Sequence, residues 1–454
     1  MWTEIQIENP VFHFDGTGSI MNKIDGQKSV YLYSIALYDP KKHVIVTVAD
    51  FLTTSHTSHN IHKFLSTINH VLLANMSTAK SIKQIPRYIV TDHSMALINA
   101  CVQAFNQCSI LQYLHYTYEI IFNNEDMASL AEKSLTTKHI ICATHFLKII
   151  IRAAKALNVS STVRNAFVFA FTLLQNSTSI RQFHTYLIHI YNLFMSPKMN
   201  TSFLVSFNFV RNELRNRNLY NEIDLIVTSN TDEDLLREDD LIDKTLKYVS
   251  VDLNELNSIQ RNSPFTTYFR KELNRYKIAL QNNPTYNDVN DPVNDLYDPR
   301  LFNIIVVRLY HIPMWTGILI KTALFPDSNK IKSRLDNNPA EGYFKIVKKD
   351  ELHYRKVMPS ELASTLYNRL YSRYVEHYQR DKDKALQNNN TNLDFAVDKW
   401  GPKIKTLNRK SKSFYFEKLY DYGYFIENID EQTGLLKNYN EFNDAFNQGW
   451  SFSL

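Results

Sequence analysis

Glycine is scarce, nine in 454 residues, and none falls into G-x-x-x-x-G-K-[ST] or G-x-G-x-x-G. Loops that cradle phosphates with bare backbone need such glycines, so P-loop nucleotide chemistry is excluded. Cysteine is scarcer still: Cys101, Cys108 and Cys142, odd in number and without C-x-x-C spacing. That excludes a disulfide framework and a cysteine-rich zinc module, and fits a reducing compartment. The start Met-Trp-Thr-Glu-Ile-Gln-Ile-Glu lacks the basic and apolar regions of a secretory leader. Long apolar runs are missing too, since Phe146 to Ile151 and Leu301 to Ile320 are broken by Lys148, Arg152, Arg308, His311 and Pro313. The expectation is a soluble intracellular protein with no membrane partner. A net charge of +5 is a mild pointer to a polyanion.

What is present is a chain longer than one ordinary core, with a 44% hydrophobic fraction. Residues 11–51 hold three β-like runs, Val11–Phe14, Val30–Tyr38 and Val44–Ala49, separated by turn chemistry at Asp15-Gly16, Asp25-Gly26 and Asp39-Pro40. An amphipathic helix from about Ser58 follows, then a short strand Tyr88–Val90. A helix bearing Leu97, Cys101 and Phe105 and a further β-like run at Tyr116–Phe122 complete the series. The order β-β-β-α-β-α-β then helix predicts an α/β fold with a mixed sheet of ribonuclease-H-like layout. Strand four would lie parallel to strand one, with both C-terminal ends side by side where ligands gather. From Cys142 to Thr322 the pattern is helical, with solvated loops at Asn230–Asp240 and Asn282–Pro299. The expected division is 1–145 as the first part of the core, 146–325 as a helical insertion, 326–380 as the closing part, and 381–454 as a basic and aromatic tail. In that tail Lys399, Lys403, Lys405, Arg409, Lys410, Lys412 and Lys418 interleave with Trp400, Phe414, Tyr415 and Phe416.

Three carboxylates stand at element ends: Asp15 on strand one, Asp92 after strand four, and Glu341 in Asn338-Pro339-Ala340-Glu341 at the start of a late helix. Each has an ordinary alternative: a turn aspartate, an N-cap, and a capping box. Together they form a set that can chelate two divalent cations about 4 Å apart, one acid shared and one on each flank. Cys142-Ala143-Thr144-His145 heads a helix, and without a second ligand pair it reads as a structural or buttressing element rather than a zinc half-site. His56, His59 and His62 are read as solvent-facing, with no metal assigned. Lys345 and Lys348 lie one and two turns past Glu341, where they could hold a phosphate backbone as readily as form a solvated basic face.

The order of these strings resembles the DDE transposases with a ribonuclease-H-like core, of the Mutator-like, Kolobok and hobo/Activator type. The residues carrying the likeness are His13-Phe14-Asp15-Gly16-Thr17-Gly18-Ser19-Ile20, Ser55-His56-Thr57-Ser58, Val90-Thr91-Asp92-His93-Ser94, Ala96-Leu97-Ile98-Asn99-Ala100, Cys142-Ala143-Thr144-His145, Pro313-Met314-Trp315-Thr316-Gly317, and Asn337 to Glu341 with Phe344 and Lys348. The resemblance implies Asp15, Asp92 and Glu341 as a metal-binding catalytic triad, and Mg²⁺ or Mn²⁺ as cofactor. It also implies Cys142 and His145 as the family's Cys-x-x-His element, DNA as partner, a nuclear location, and room for a homo-oligomer. Only 14 residues precede Asp15, where such transposases usually carry a DNA-binding module. The expected function is DNA strand cleavage and transfer from an N-terminally shortened protein. The alternatives are a domesticated, catalytically inactive protein that binds DNA, chromatin or another protein, and a nuclease acting on RNA or hybrids.

Overall fold

The computed structural model describes residues 11–18, 20–22, 30–39, 43–76, 86–122, 134–217, 219, 253–282, 291–320, 335–375, 415–419 and 423–427. The expected acidic loop at 230–240 and the tail cations Lys399 to Lys412 with Trp400 and Phe414 lie outside these residues.

The chain is a mixed α/β protein built on one five-stranded sheet. Strands β1 (Val11–Thr17), β2 (Tyr31–Asp39) and β3 (Val44–Thr53) form an antiparallel meander. Strands β4 (Tyr88–Thr91) and β5 (Lys138–Ile141) add in parallel on the other side of β1, giving the order β3-β2-β1-β4-β5. Period-two alternation decides what each strand offers to each face. In β1, Phe12 and Phe14 are fully buried and pack with Tyr33, Ile35, Leu37, Ile61, Leu65, Leu97 and Cys101, so α1 (Ser58–Met76) and α2 (Met95–Asn106) cover that side. Burying a phenylalanine contributes roughly 1.5–3 kcal/mol, which makes the register of β1 hard to slip. The same register leaves His13 and Asp15 on the opposite face.

That second face is closed by late segments of the chain. Helix α12 (Asn338–Ile346) and helix α13 (Pro359–Tyr374) bring Tyr343, Phe344, Val347, Leu362 and Leu366 onto Leu32, with Ile45 and Leu52 at the edge. Gly342 permits the approach, because a Cβ there would sit 3.0 Å from Ile45 Cδ1. Over β4 and β5 the cover is Leu319, Ile320 and Leu335 against Tyr88, Val90, Ile140 and Cys142.

Two expectations need correction. Tyr116–Phe122 is not a strand but the second half of helix α3 (Ile110–Phe122). Its aromatic and β-branched residues suit a strand, yet Ile110, Tyr113, Leu114 and Thr117 recur at helical spacing and are the residues buried, so packing overrides propensity. The true fifth strand, Lys138-His139-Ile140-Ile141, is only four residues long and opens on two polar residues, which hid it; all four are buried.

Beyond β5 the described chain to residue 320 is helical: α4 (Ala143–Lys155), α5 (Ser161–Gln175), α6 (Ile180–Met195), α7 (Thr201–Asn216), α8 (Leu253–Asn262), α9 (Pro264–Gln281), α10 (Pro299–Val306) and α11 (Ile312–Trp315). They share one apolar core around Phe146, Phe167, Phe171, Phe183, Phe269 and Trp315. The stretch Pro299–Leu319 is long and apolar enough to pass as a membrane span, but 78% of its most apolar window is buried here. Near the C-terminus β6 (Tyr415–Leu419) pairs antiparallel with β7 (Gly423–Glu427).

Candidate metal centre

Pairing between β1 and β4 covers only Val11 to His13, so Asp15 lies just past it, at the C-terminal edge where β4 also ends at Thr91. Asp92 follows at once. It is not the cap of α2, since Ser94 holds that position and its amide donates to the Asp92 carbonyl (2.8 Å). The Asp92 side chain is thus free for other work. From β5 the chain turns into α4 through Cys142, whose amide donates to the Thr91 carbonyl (2.7 Å), and one helical turn on stands His145.

The third acid arrives from 249 residues beyond Asp92, counting 341 minus 92. Residues 335–337 are latched beside the site: the Ala143 amide donates to Leu335 O (3.0 Å), His13 Nδ1 to Asp336 O (2.8 Å), and Asn337 Nδ2 to Phe14 O (3.3 Å). The Asn337 amide also donates to Cys142 Sγ (3.3 Å). These bonds fix the start of α12 against β1 and α4. The Asn337 side chain makes no cap bond at this helix start, where the Asn338 amide donates to Asp336 Oδ1 (3.1 Å), and the Glu341 carboxylate faces His145.

Here the residues meet. His145 Nδ1 lies 2.5 Å from Asp92 Oδ1, and its Nε2 is 3.5 Å from Glu341 Oε1. Burial alone would push the His145 imidazolium down, but the hydrogen bonds and charges of Asp92 and Cys142 outweigh it and raise its pKa to about 12. Asp15 is almost fully buried, and its carboxyl is held well above the usual range. Burial is the largest cause, followed by the charge of Asp92, with Glu341 adding to it, against relief from His145 and the Gly16 amide. That amide donates to Asp15 Oδ1 at 2.7 Å. Asp15, Asp92 and Glu341 are therefore close enough to feel one another.

The two candidate cations part company. Lys348, in a π-helical turn (Val347–Glu351) that continues α12, is lowered by burial and partly restored by the charge of Asp15, which places it beside the acids. Lys345 is exposed, with nothing linking it to the site. Cys142 is fully buried and accepts the Asn337 amide, a buttressing geometry. Yet Asp92, Cys142 and His145 offer ligand atoms all within 4.8 Å of one another, a set that could hold a metal ion.

Sequence reasoning missed the surroundings. Behind Asp92, His93 and His311 rings lie 5.2 Å apart, and His139 Nε2 bonds Thr91 Oγ1 (2.9 Å). Burial lowers all three, His93 to about 4 and His139 to about 3. Around Gly16, the Tyr33 hydroxyl meets His56 Nδ1 at 2.5 Å, so His56 is not simply solvent-facing. Only proximity after folding reveals these partners. Comparison with protein-family models, curated proteins and solved structures finds no match to the chain.

Proposed function

We propose that this protein is a transposase-like DNA strand-cleavage and strand-transfer enzyme with a ribonuclease-H-like core interrupted by a helical insertion. The observation that carries the reading is the gathering of acids from distant parts of the chain, Asp92 and Glu341 on either side of His145, with the Asp15 carboxyl raised first by burial, then by the charge of Asp92 and least by that of Glu341. Carboxylates crowded in this way are what a pair of divalent ions neutralises. The sheet order, with β1, β4 and β5 parallel and β2 antiparallel, supports the same reading.

In this scheme Asp15, Asp92 and Glu341 would hold the ions, Mg²⁺ or Mn²⁺ being the class that oxygen-only donors favour. When bound, such ions lower the pKa of an attacking water or 3′-hydroxyl and stabilise the leaving oxygen. The chain's own residues do the positioning. The Gly16 amide orients Asp15, His145 orients Asp92 and Glu341, and Lys348 presents a cation to a DNA phosphate. A nuclear location and a homo-oligomer are part of the proposal. The purified chain should nick and join DNA only with divalent metal, and Asp92→Ala should abolish both; activity surviving that change overturns the scheme.

A second reading keeps the fold without catalysis, as a DNA-, chromatin- or protein-binding protein. It is favoured by His145 already standing between Asp92 and Glu341 as their counter-charge. Calorimetric titration with Mn²⁺ separates the two, since a pure binder shows no uptake that depends on Asp15.

A further inference from the structure

We propose that Asp92, Cys142 and His145 form a site for one thiophilic divalent cation of the Zn²⁺ class, distinct from the pair of hard ions above. Among the described residues these three supply one carboxylate oxygen, one sulfur and one imidazole nitrogen, all within 4.8 Å of one another. Sulfur and imidazole donors select zinc or cobalt over magnesium or calcium, whose preference is for oxygen.

The surroundings are those of a ligand set. Cys142 is the N-cap residue of α4, at the start of the helix that also carries His145. Its sulfur already accepts the Asn337 amide, the outer bond that orients a metal-bound thiolate. His145 lies three residues on, on the same helix face. With Nδ1 turned to the site, its Nε2 faces Glu341 Oε1 at 3.5 Å, the carboxylate that typically orients a metal-bound imidazole from behind. Asp92 uses Oδ1 toward His145, leaving Oδ2 for another ion. The Asp92 and His145 side chains are 34% and 22% exposed, so an ion can enter past them to the fully buried Cys142.

Binding of the ion displaces protons from its nitrogen and sulfur donors to solvent. Three protein ligands would leave a fourth position for water.

The full chain is titrated with Co²⁺ and followed optically. A sulfur-to-cobalt charge-transfer band should saturate at one equivalent, vanish in Cys142→Ser, and persist in Asp15→Asn. Should Cys142→Ser fail to fold, X-ray absorption on the unmodified Zn²⁺-loaded protein gives the answer, with one sulfur expected at about 2.3 Å. A shell of nitrogen and oxygen only, or a band that survives Cys142→Ser, overturns the assignment. Because neither Asp15 nor Glu341 is a ligand here, wild-type protein that shows the band but takes up no Mn²⁺ refutes the two-ion reading alone.

Discussion

His145 Nδ1 lies 2.5 Å from Asp92 Oδ1, joining residues 53 positions apart across the end of the sheet. This contact, with Glu341 on the far side of the ring, makes one imidazolium the counter-charge of two acids. Replacement by the neutral isostere His145→Gln should lower metal-dependent cleavage about 10- to 100-fold, the usual cost of losing a group that orients ligands. A histidine raised from 6.5 to about 12 contributes stability that is full below pH 6.5 and is lost as pH rises toward 12. The gap in melting temperature between wild type and His145→Gln should therefore shrink from pH 7 to pH 10.

Asp15 illustrates a conflict between stability and function. Its carboxyl is buried beside other acids, so ionising it in the ion-free protein is unfavourable. Asp15→Asn keeps the shape and removes the charge. It should stabilise the ion-free protein by about 0.5–2 kcal/mol in denaturant unfolding while abolishing Mn²⁺ uptake by calorimetry. A destabilised variant would contradict this account.

Gly16 has no room for a side chain, since a Cβ would sit 2.4 Å from Tyr33 Cε1 and 2.7 Å from Cδ1. The ring is pinned by Phe14 (centroids 5.7 Å) and by His56, so it cannot swing clear cheaply. Gly16→Ala should cost about 1–3 kcal/mol, read as a lower melting temperature, and should disturb the amide that orients Asp15.

Acid should destabilise the fold through histidines behind the site. His139 is lowered to about 3 and His311 well below 6.5, both by burial first, so the unfolded chain takes up protons that the native state refuses. Their stabilising effect is full above pH 6.5 and is lost as pH falls through that value. The loss is about 2 kcal/mol for His139 by pH 5, and His311 adds in the same direction. Asp50, raised by burial to about 6, gives a smaller opposite slope. Denaturant unfolding from pH 8 to pH 4.5 should show the fall, and His311→Asn should flatten it.

Much of the local structure was legible from the sequence. Phe12 and Phe14 alternate with His13 and Asp15, which settles which face of β1 is apolar. Turn chemistry marked the meander, and Leu97, Cys101 and Phe105 marked α2. The failures came where local signals conflict with burial. Tyr116–Phe122 has strand composition but is held in a helix by its buried face, and β5 is too short to show a period.

The sequence by itself determined that acids stand at the ends of apolar elements, that glycine loops for nucleotides are absent, and that Cys142 and His145 share one helix turn. Only the tertiary structure decided that the start of α12 docks on β1 through Asn337, and so brings Glu341 to a histidine nearly two hundred residues earlier. It also decided that Lys348 is half-buried and feels the charge of Asp15 while Lys345 is exposed. The physical reason is range. Propensity, capping and alternation act over a few residues, whereas the charge on a buried carboxyl depends on groups whose separation in sequence carries no information about their separation in space.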